Sequence, residues 1–420
     1  MQKTVRIFSG QTKLRAGMFI KEARRVRMLL GYSDIELLRL AAWCKNLPSD
    51  ISKSIHSQIL NPARIKLLDA AGLVNTSENG DCIRLRELGW DFIRHLGFEY
   101  HKDSRYVSDY GRRLESARIL LTFWRAGYNV FGSTLRDMGA PRVFIHSMAA
   151  RRDSVQGGNI WGGAAFWGLG RLGNTAASCY YFTGHEKALL NYRSEKTMLD
   201  KAASFLGAKP AMIFAGKGDS GAGYVRMARV LGNTKAAKVT GSGEKLTYSD
   251  IYRGSQIPIH LLECSDEGAL QLLIMSLEDY RKRLGGVIFS GVNPPPVGVG
   301  GADGSLGVSD TMPWLLAIDM DICRIGRAIR QTAAAGYPMI VIACLSKQEA
   351  ALKLLFGENA AKYVIITEKN ITDAFGAVCL YEPAPGPYLD SKGGMIDAAA
   401  LPVHRKMGKQ AHRKTAKAPE

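Results

Sequence analysis

Three acidic residues follow apolar runs that are typical of buried strands. Asp319 and Asp321 end the segment WLLAIDMD, and Glu263 ends the segment IPIHLLE. Carboxylates in such places are costly unless a metal ion, a cation or hydrogen bonds hold them. Mg²⁺ and Mn²⁺ prefer oxygen ligands, and a bound metal can activate water against a phosphodiester. The candidate catalytic residues are therefore Glu263, Asp319 and Asp321, and the candidate metal ligands are Asp319 and Asp321.

The spacing of the two aspartates leaves a second interpretation open. Residues two apart share one face of a strand, so both side chains point the same way only if the strand continues through Asp321. If the strand ends earlier, one of the two aspartates could instead be the N-cap of the helix predicted for CRIGRAI. A metal site and a helix cap therefore remain alternatives at this position.

Other segments have a less specific chemistry. The glycine-rich segment AGKGDSGAGYVRMA does not match the phosphate-binding pattern G-x-x-x-x-G-K-[ST]. It is typical of a turn from a strand into a helix, with a phosphate cradle at the helix start as the alternative. The histidines His146, His185 and His260 are isolated in the sequence and are interpreted as structural.

A second set of residues has the chemistry of DNA contacts. The segment NPARIKLLDAAG predicts a helix in which Asn61 is the N-cap and Pro62 occupies the first turn. Ile65 and Leu68 mark its buried face. A following pair of strands carries arginines that alternate with apolar residues. The candidate DNA-binding residues are Lys53, Asn61, Arg64, Lys66, Arg84 and Arg86.

These residues need a small module to position them. YSDIELLRLAAWCKN predicts a first helix, PSDISKSIH a second short helix, and NPARIKLLDAAG a third. Asn79-Gly80 then predicts a tight hairpin turn. Three helices and a hairpin are typical of a winged helix-turn-helix, whose third helix enters the major groove. We expect this module over residues 31–100.

The acidic residues need a larger domain, expected over residues 106–382. Its second half alternates apolar strands with amphipathic helices, among them EGALQLLIMSLEDYRKRL, which is interpreted as one helix. This alternation predicts an α/β fold with a mostly parallel sheet covered by helices. Sites in such sheets form at the carboxyl ends of strands, which is why the three acids are expected to meet.

Composition agrees with a nucleic-acid partner. The 420 residues carry a formal net charge of +18, which favours polyanions. Residues 1–30 form a predicted basic arm and residues 383–420 a predicted disordered basic tail. No apolar run reaches membrane-spanning length and no signal peptide is evident, so a cytoplasmic protein without a membrane partner is expected. The seven scattered cysteines are interpreted as reduced thiols.

The segments ELLRLAAWCKNLPSDISKSIHSQIL, ARIKLLDAAGLV and CIRLRELGWDFIRHLG resemble the start of the replication-relaxation family, which includes the MobC-type relaxases. WLLAIDMD, PMIVIACL and YVIIT resemble that family in outline. The resemblance implies a winged helix joined to a core related to restriction endonucleases, acting on DNA in plasmid mobilisation, conjugation or replication. It further implies double-stranded DNA and other relaxosome or replication proteins as partners. A second copy of the chain is also an expected partner, since the second domain of a regulator could serve to dimerise.

The resemblance also implies a carboxylate-and-lysine nuclease site, with Asp followed by Glu-x-Lys on adjacent strands. This sequence departs from that pattern, because no lysine follows two residues after Glu263, Asp319 or Asp321. A DNA-binding relative with a degenerate nuclease core is therefore also expected. Two alternatives remain: a winged-helix transcriptional or replication regulator without catalysis, and a Toprim-like metal-dependent DNA-processing enzyme. Mg²⁺ or Mn²⁺ is expected only if the protein is catalytic.

Overall fold

The computed structural model describes residues 30–76, 81–98, 110–132, 134–152, 165–182, 192–218, 222–232, 239–241, 244–246, 248–290, 293–307, 312–384, 388–389 and 395–396. Residues 36–382 form one compact unit. Residues 1–35 and 383–420 form a second unit, in which Tyr388–Leu389 pairs with Met395–Ile396. The predicted basic arm and most of the predicted basic tail lie outside the described residues.

The N-terminal module, residues 36–98 of the compact unit, is built from short elements around a three-stranded antiparallel sheet of order β1-β3-β2. The bounds are α1 (Tyr32–Cys44), β1 (Leu47–Pro48), two 3₁₀ turns (Ser49–Lys53 and Gln58–Leu60), α2 (Pro62–Ala70), β2 (Val74–Thr76), β3 (Cys82–Leu85) and α3 (Glu87–His95).

The prediction for α2 is confirmed, since the Asn61 side chain accepts a hydrogen bond from the Ala63 amide at 2.9 Å and Pro62 opens the helix. The second predicted helix is a 3₁₀ turn, and the predicted Asn79-Gly80 turn lies outside the described residues.

The larger part of the compact unit begins with a long helix and a six-stranded mixed sheet of order β11-β8-β7-β6-β5-β4. Strands β5, β6 and β7 form an antiparallel meander, and β8 and β11 then continue the sheet in parallel with β7. The bounds are α4 (Tyr110–Arg125), β4 (Asn129–Gly132), β5 (Val143–His146), α5 (Ser147–Arg152), β6 (Gly168–Leu172), β7 (Thr175–Phe182), α6 (Tyr192–Phe205), β8 (Lys209–Lys217), α7 (Ala222–Gly232), β9 (Val239–Gly241), β10 (Glu244–Leu246), α8 (Tyr248–Gly254) and β11 (Ile259–Cys264).

A four-stranded sheet of order β12-β13-β14-β15 follows, in which β13, β14 and β15 are parallel. The bounds are α9 (Asp266–Met275), α10 (Tyr280–Ile288), β12 (Gly304–Leu306), β13 (Met312–Leu316), α11 (Ile322–Ala334), β14 (Ile340–Cys344), α12 (Ser346–Phe356), β15 (Ala361–Ile365) and α13 (Glu368–Phe375). The fold is mixed α/β, as predicted. The parallel strands of the second half are divided between two sheets rather than joined in one.

The two sheets share one apolar core. Phe214 of β8 and Leu315 of β13 belong to the same buried cluster, whereas Trp314 and Leu316 belong to a second cluster on the opposite face of the four-stranded sheet. This alternation follows from the two-residue period of a strand. The Leu261 amide also donates a hydrogen bond to the Met320 carbonyl oxygen at 3.1 Å, which joins β11 to the segment after β13.

Ion pairs fix the N-terminal module to the larger part. Asp50 in the first 3₁₀ turn pairs with Arg118 of α4 and, at 2.6 Å, with Lys217 at the end of β8. His56 lies 2.9 Å from Asp266, which also accepts from Arg125 at 3.0 Å. Burial opposes the charge of Asp50, but Lys217 and Arg118 hold the pKa of its carboxyl group below the usual range.

Among the helices of the described residues, none combines the length and the apolar character needed to cross a bilayer.

Candidate functional site

The segment after β13 positions Asp319 and Asp321 differently from a continuous strand. The strand ends at Leu316, and Met320 adopts a left-handed backbone conformation with φ 48°. Asp321 then becomes the N-cap of α11, because its Oδ1 accepts a hydrogen bond from the Arg324 amide at 3.1 Å. Of the two interpretations of the Asp-x-Asp spacing, the structure therefore has the helix cap.

Asp319 is fully buried and surrounded by donors. Its Oδ2 accepts hydrogen bonds from Tyr280 Oη at 2.9 Å and from Arg281 Nη2 at 2.5 Å. Arg324 Nη2 lies 3.3 Å from both carboxylate oxygens. The Asp321 amide donates to Oδ1 at 3.3 Å. Both oxygens of Asp319 thus have protein partners.

Arg324 extends this cluster to a second acid. Its Nη1 lies 3.0 Å from each carboxylate oxygen of Asp303 and donates to the Gly301 carbonyl oxygen at 3.1 Å. Its Nη2 donates to the Leu316 carbonyl oxygen at 2.5 Å. A guanidinium group that satisfies two carboxylates and two carbonyls fixes the start of α11 to the end of β13.

The arginines determine the ionisation of Asp319. Burial alone would raise the pKa of its carboxyl group, but Arg324 and Arg281 hold that pKa well below its usual range. Burial alone would lower the pKa of each arginine, yet Asp319 raises both. A carboxylate with so low a pKa is a poor general base near neutral pH. Two contacting cations also disfavour a divalent metal there, so these residues do not fit a Mg²⁺ site.

Sequence reasoning missed Tyr280 and Arg281 because it interpreted their segment as one helix. The structure has two helices, α9 and α10, separated by Asp279 in a left-handed conformation with φ 49°. Aspartate tolerates that conformation better than most residues. The break starts α10 at Tyr280, and it is the first two residues of α10 that contact Asp319. The sequence signal was the LEDY segment, in which a turn former precedes an aromatic residue.

Glu263 lies at a separate place. Its Oε1 accepts from the Gly223 amide at 3.0 Å, and its Oε2 accepts from Ser265 Oγ at 3.1 Å. Burial raises the pKa of the Glu263 carboxyl group, against the opposing effect of these hydrogen bonds and of Lys347. Glu263 therefore binds the start of α7, the helix start for which a phosphate cradle was the alternative prediction. Lys217, the cation beside that turn, is paired with Asp50.

The three predicted acids do not meet. Asp319 and Asp321 lie beside the start of β11, where His260 Nδ1 is 2.9 Å from the Asp319 carbonyl oxygen. Glu263 is three residues further along the same strand, which is about 10 Å away and on the opposite face. In the described part of the chain, no three His, Cys, Asp or Glu side chains are grouped as metal ligands would be. Their catalytic and metal-binding roles stay predictions.

A groove of about 1030 Å³ opens over the start of β11 and α10. His260 and Asp321 line it, and they form an antiparallel bridge pair. Directly opposite residues of such a pair have neighbouring side chains on one face. Arg281 lines the groove as well, so one wall of the groove is the outer side of the Asp319 cluster.

The predicted DNA contacts lie in the N-terminal module in different environments. Lys53 and Lys66 are exposed, whereas Arg64 is half-buried. Asn61 caps α2.

The two wing arginines have partners within the protein. Arg84 donates from Nε to Asn46 Oδ1 at 2.6 Å and lies over the Tyr110 ring, 5.4 Å from its centroid. Arg86 is exposed and pairs with Asp69 at 2.7 Å.

Comparisons of the chain with protein-family models, curated proteins and solved structures gave no match.

Proposed function

We propose that the protein binds double-stranded DNA through its N-terminal module, with α2 as the recognition helix and β2–β3 as the wing. The exposed face of α2 carries this proposal. Ala63, Lys66, Leu67 and Ala70 are exposed and follow the i, i+3, i+4, i+7 spacing of one helix face. Leu67 is 45% exposed, so this face offers an apolar side chain next to the Lys66 ammonium group.

The chemistry of this face suits the major groove. Lys66 can donate to a phosphate or to guanine, and Leu67 with the alanines can pack against thymine methyl groups. Arg86 bridges to Asp69, so the ion pair orients the wing against α2 while leaving the arginine at the surface. The formal net charge of +18 supplies the sequence-independent part of the affinity.

The larger part supports binding without cleavage. Its α4, β5–β6–β7 meander, α6 and parallel β8 come in the order that a restriction-endonuclease-like core would have, although β4 and α5 are inserted among them. The adjacent strands β6 and β7, GLGRL and TAASCYYF, contain no Asp, Glu or Lys. Asp319 is engaged by two arginines. We therefore propose an accessory DNA-binding protein of plasmid mobilisation or replication whose nuclease core is degenerate.

The decisive test is a binding titration of duplex DNA with the full chain and the Lys66→Ala variant. Lys66 is exposed on α2, so its removal should not affect folding. If Lys66 contacts a phosphate, the slope of log K against log salt should fall by about 0.9. If it contacts a base, affinity for the cognate site should fall by about 1–3 kcal/mol.

Lys369→Ala is the matched control, because Lys369 is 81% exposed on α13 and pairs with Asp373. Equal DNA affinity and salt slope for Lys66→Ala and the unmodified chain would overturn the assignment of α2. A parallel assay on supercoiled plasmid with Mg²⁺ or Mn²⁺ should show no nicking. Metal-dependent nicking would instead support the relaxase-like enzyme.

A further inference from the structure

The groove over β11 contains two acceptor atoms that the fold does not use. His260 is 6% exposed and Asp321 4%, and both line the groove. The Nδ1 atom of His260 contacts the Asp319 carbonyl oxygen, which makes Nδ1 the donor and leaves Nε2 as an acceptor. Asp321 uses Oδ1 to cap α11. Neither His260 Nε2 nor Asp321 Oδ2 has a hydrogen-bond partner among the residues that the structure describes.

Both residues line the groove, so these acceptors are open to water or to a ligand with hydrogen-bond donors. His260 and Asp321 are directly opposite in the bridge pair, so their two acceptors present one hydrogen-bonding edge. A group with adjacent donors, such as a nucleobase amino group or a sugar hydroxyl pair, would satisfy that edge.

Three cations line the same groove, together with the carboxylates of Glu278 and Asp279. Arg281 directs Nη2 to Asp319 and Nε to Tyr280, while its remaining Nη1 has no partner in the described residues. Lys209 and Lys282 are exposed and line the groove. A guanidinium group with two lysines is suited to a phosphate group. The volume, about 1030 Å³, is at the upper end of what small-ligand sites have.

We propose that this groove binds a nucleoside monophosphate. His260 Nε2 and Asp321 Oδ2 accept hydrogen bonds from the nucleoside, and Arg281, Lys209 and Lys282 bind the phosphate. This site is independent of the DNA-binding face, because it uses none of the residues of α2 or of the wing. The Asp319 cluster then has a positioning role, since it holds Arg281 at the groove wall.

The test uses the full chain titrated calorimetrically with each of the four nucleoside monophosphates AMP, GMP, CMP and UMP. Two variants keep the internal hydrogen bonds and remove the acceptors. Asp321→Asn retains a carbonyl oxygen to cap α11, and His260→Asn retains a donor for the Asp319 carbonyl oxygen. We expect at least one nucleotide to bind, and each variant to weaken that binding tenfold or more.

A third variant distinguishes contacts with the phosphate from contacts with the nucleoside. Lys282→Ala changes an exposed side chain, so folding should be unaffected. It should weaken binding of the nucleotide and leave binding of the corresponding nucleoside unchanged. Lys369→Ala should change neither. The proposal is overturned if none of the four nucleotides binds at millimolar concentration, or if all three variants bind like the unmodified chain. Unchanged DNA affinity in these variants would show that the two sites are separate.

Discussion

Asp319 and Glu263 are both fully buried after apolar strand residues, yet their surroundings stabilise opposite forms of the carboxyl group. Two arginines surround Asp319 and lower its pKa, so the charged form belongs to the folded state. Glu263 has an amide and a hydroxyl group as hydrogen-bond partners, and burial raises its pKa. The sequence treats them as equivalent candidates. The difference teaches that the partners of a buried acid, and not its strand-end position, determine its role.

The two pKa shifts have opposite consequences for stability. The charge of Asp319 stabilises the fold above its ordinary pKa of about 3.9, and this contribution is lost as the pH falls through the lowered pKa. Glu263 binds its proton more tightly in the folded state. Its contribution is therefore greatest below the ordinary glutamate pKa of about 4.3 and is lost as the pH rises through the raised pKa.

The largest expected effect is that of Asp319→Asn. The amide retains the shape of the side chain but leaves Arg281 and Arg324 without their shared carboxylate. Breaking one side of a buried ion pair costs about 3–5 kcal/mol, so the urea midpoint should fall steeply. Asp373→Asn is the control, since its pair with Lys369 is exposed and should contribute less than about 1 kcal/mol. An Asp319→Asn chain as stable as the unmodified protein would contradict the ion-pair role.

A smaller effect is expected where Glu263 contacts α7. A Cβ atom at Gly223 would lie 2.6 Å from the Lys217 carbonyl oxygen and 2.7 Å from Glu263 Oε1. Gly223→Ala should therefore destabilise the protein by about 1–3 kcal/mol, the usual cost of overpacking. At Gly232, near the end of the same helix, a Cβ would meet nothing within 4 Å. Gly232→Ala is therefore the control. Thermal unfolding of the two variants compares the same substitution in closed and open surroundings, and equal unfolding midpoints would contradict the close approach of Gly223 to its neighbours.

The smallest effect at neutral pH is expected for Glu263→Gln. The amide keeps a carbonyl oxygen for the Gly223 amide and carries no charge, so stability should change by about 1 kcal/mol or less. The pH dependence sharpens the comparison. As the pH rises from the ordinary glutamate pKa through the raised pKa of Glu263, the unmodified chain should lose stability relative to the variant. Unfolding midpoints at several pH values test this, and a difference of the opposite sign would mean that Glu263, like Asp319, is stabilised as the anion.

Local signals in the sequence predicted local structure well. Asn61-Pro62 predicted the start of α2 because both the side-chain cap and the fixed proline φ act within one turn. The continuous apolar run of β13 predicted a buried strand, because such a run is typical of a strand that is covered on both faces. The Asp-x-Asp segment was ambiguous, because a strand end and a helix cap use the same residue type, and Met320 decides it through its backbone conformation.

The candidate site was predicted only in part, since its partners are distant in the chain. Asp319 could be identified as a buried acid, but Arg281 is 38 residues earlier and lies in a segment that the sequence predicts as one continuous helix. His260 was interpreted as structural, and its Nδ1 contact agrees with that, whereas its pairing with Asp321 depends on how β11 packs against the segment after β13. No local pattern of residue types encodes that packing.

The sequence by itself determined the α/β class, the apolar strands β8, β11, β13, β14 and β15, the cap of α2 and the basic charge, because periodicity, capping and composition act over a few residues. Only the tertiary structure decided that the parallel strands divide between two sheets. That division places Glu263 at one end of β11 and Asp319 with Asp321 at the other. The physical reason is that sheet order depends on long-range packing of whole elements, so residues with the same local signal can meet entirely different partners.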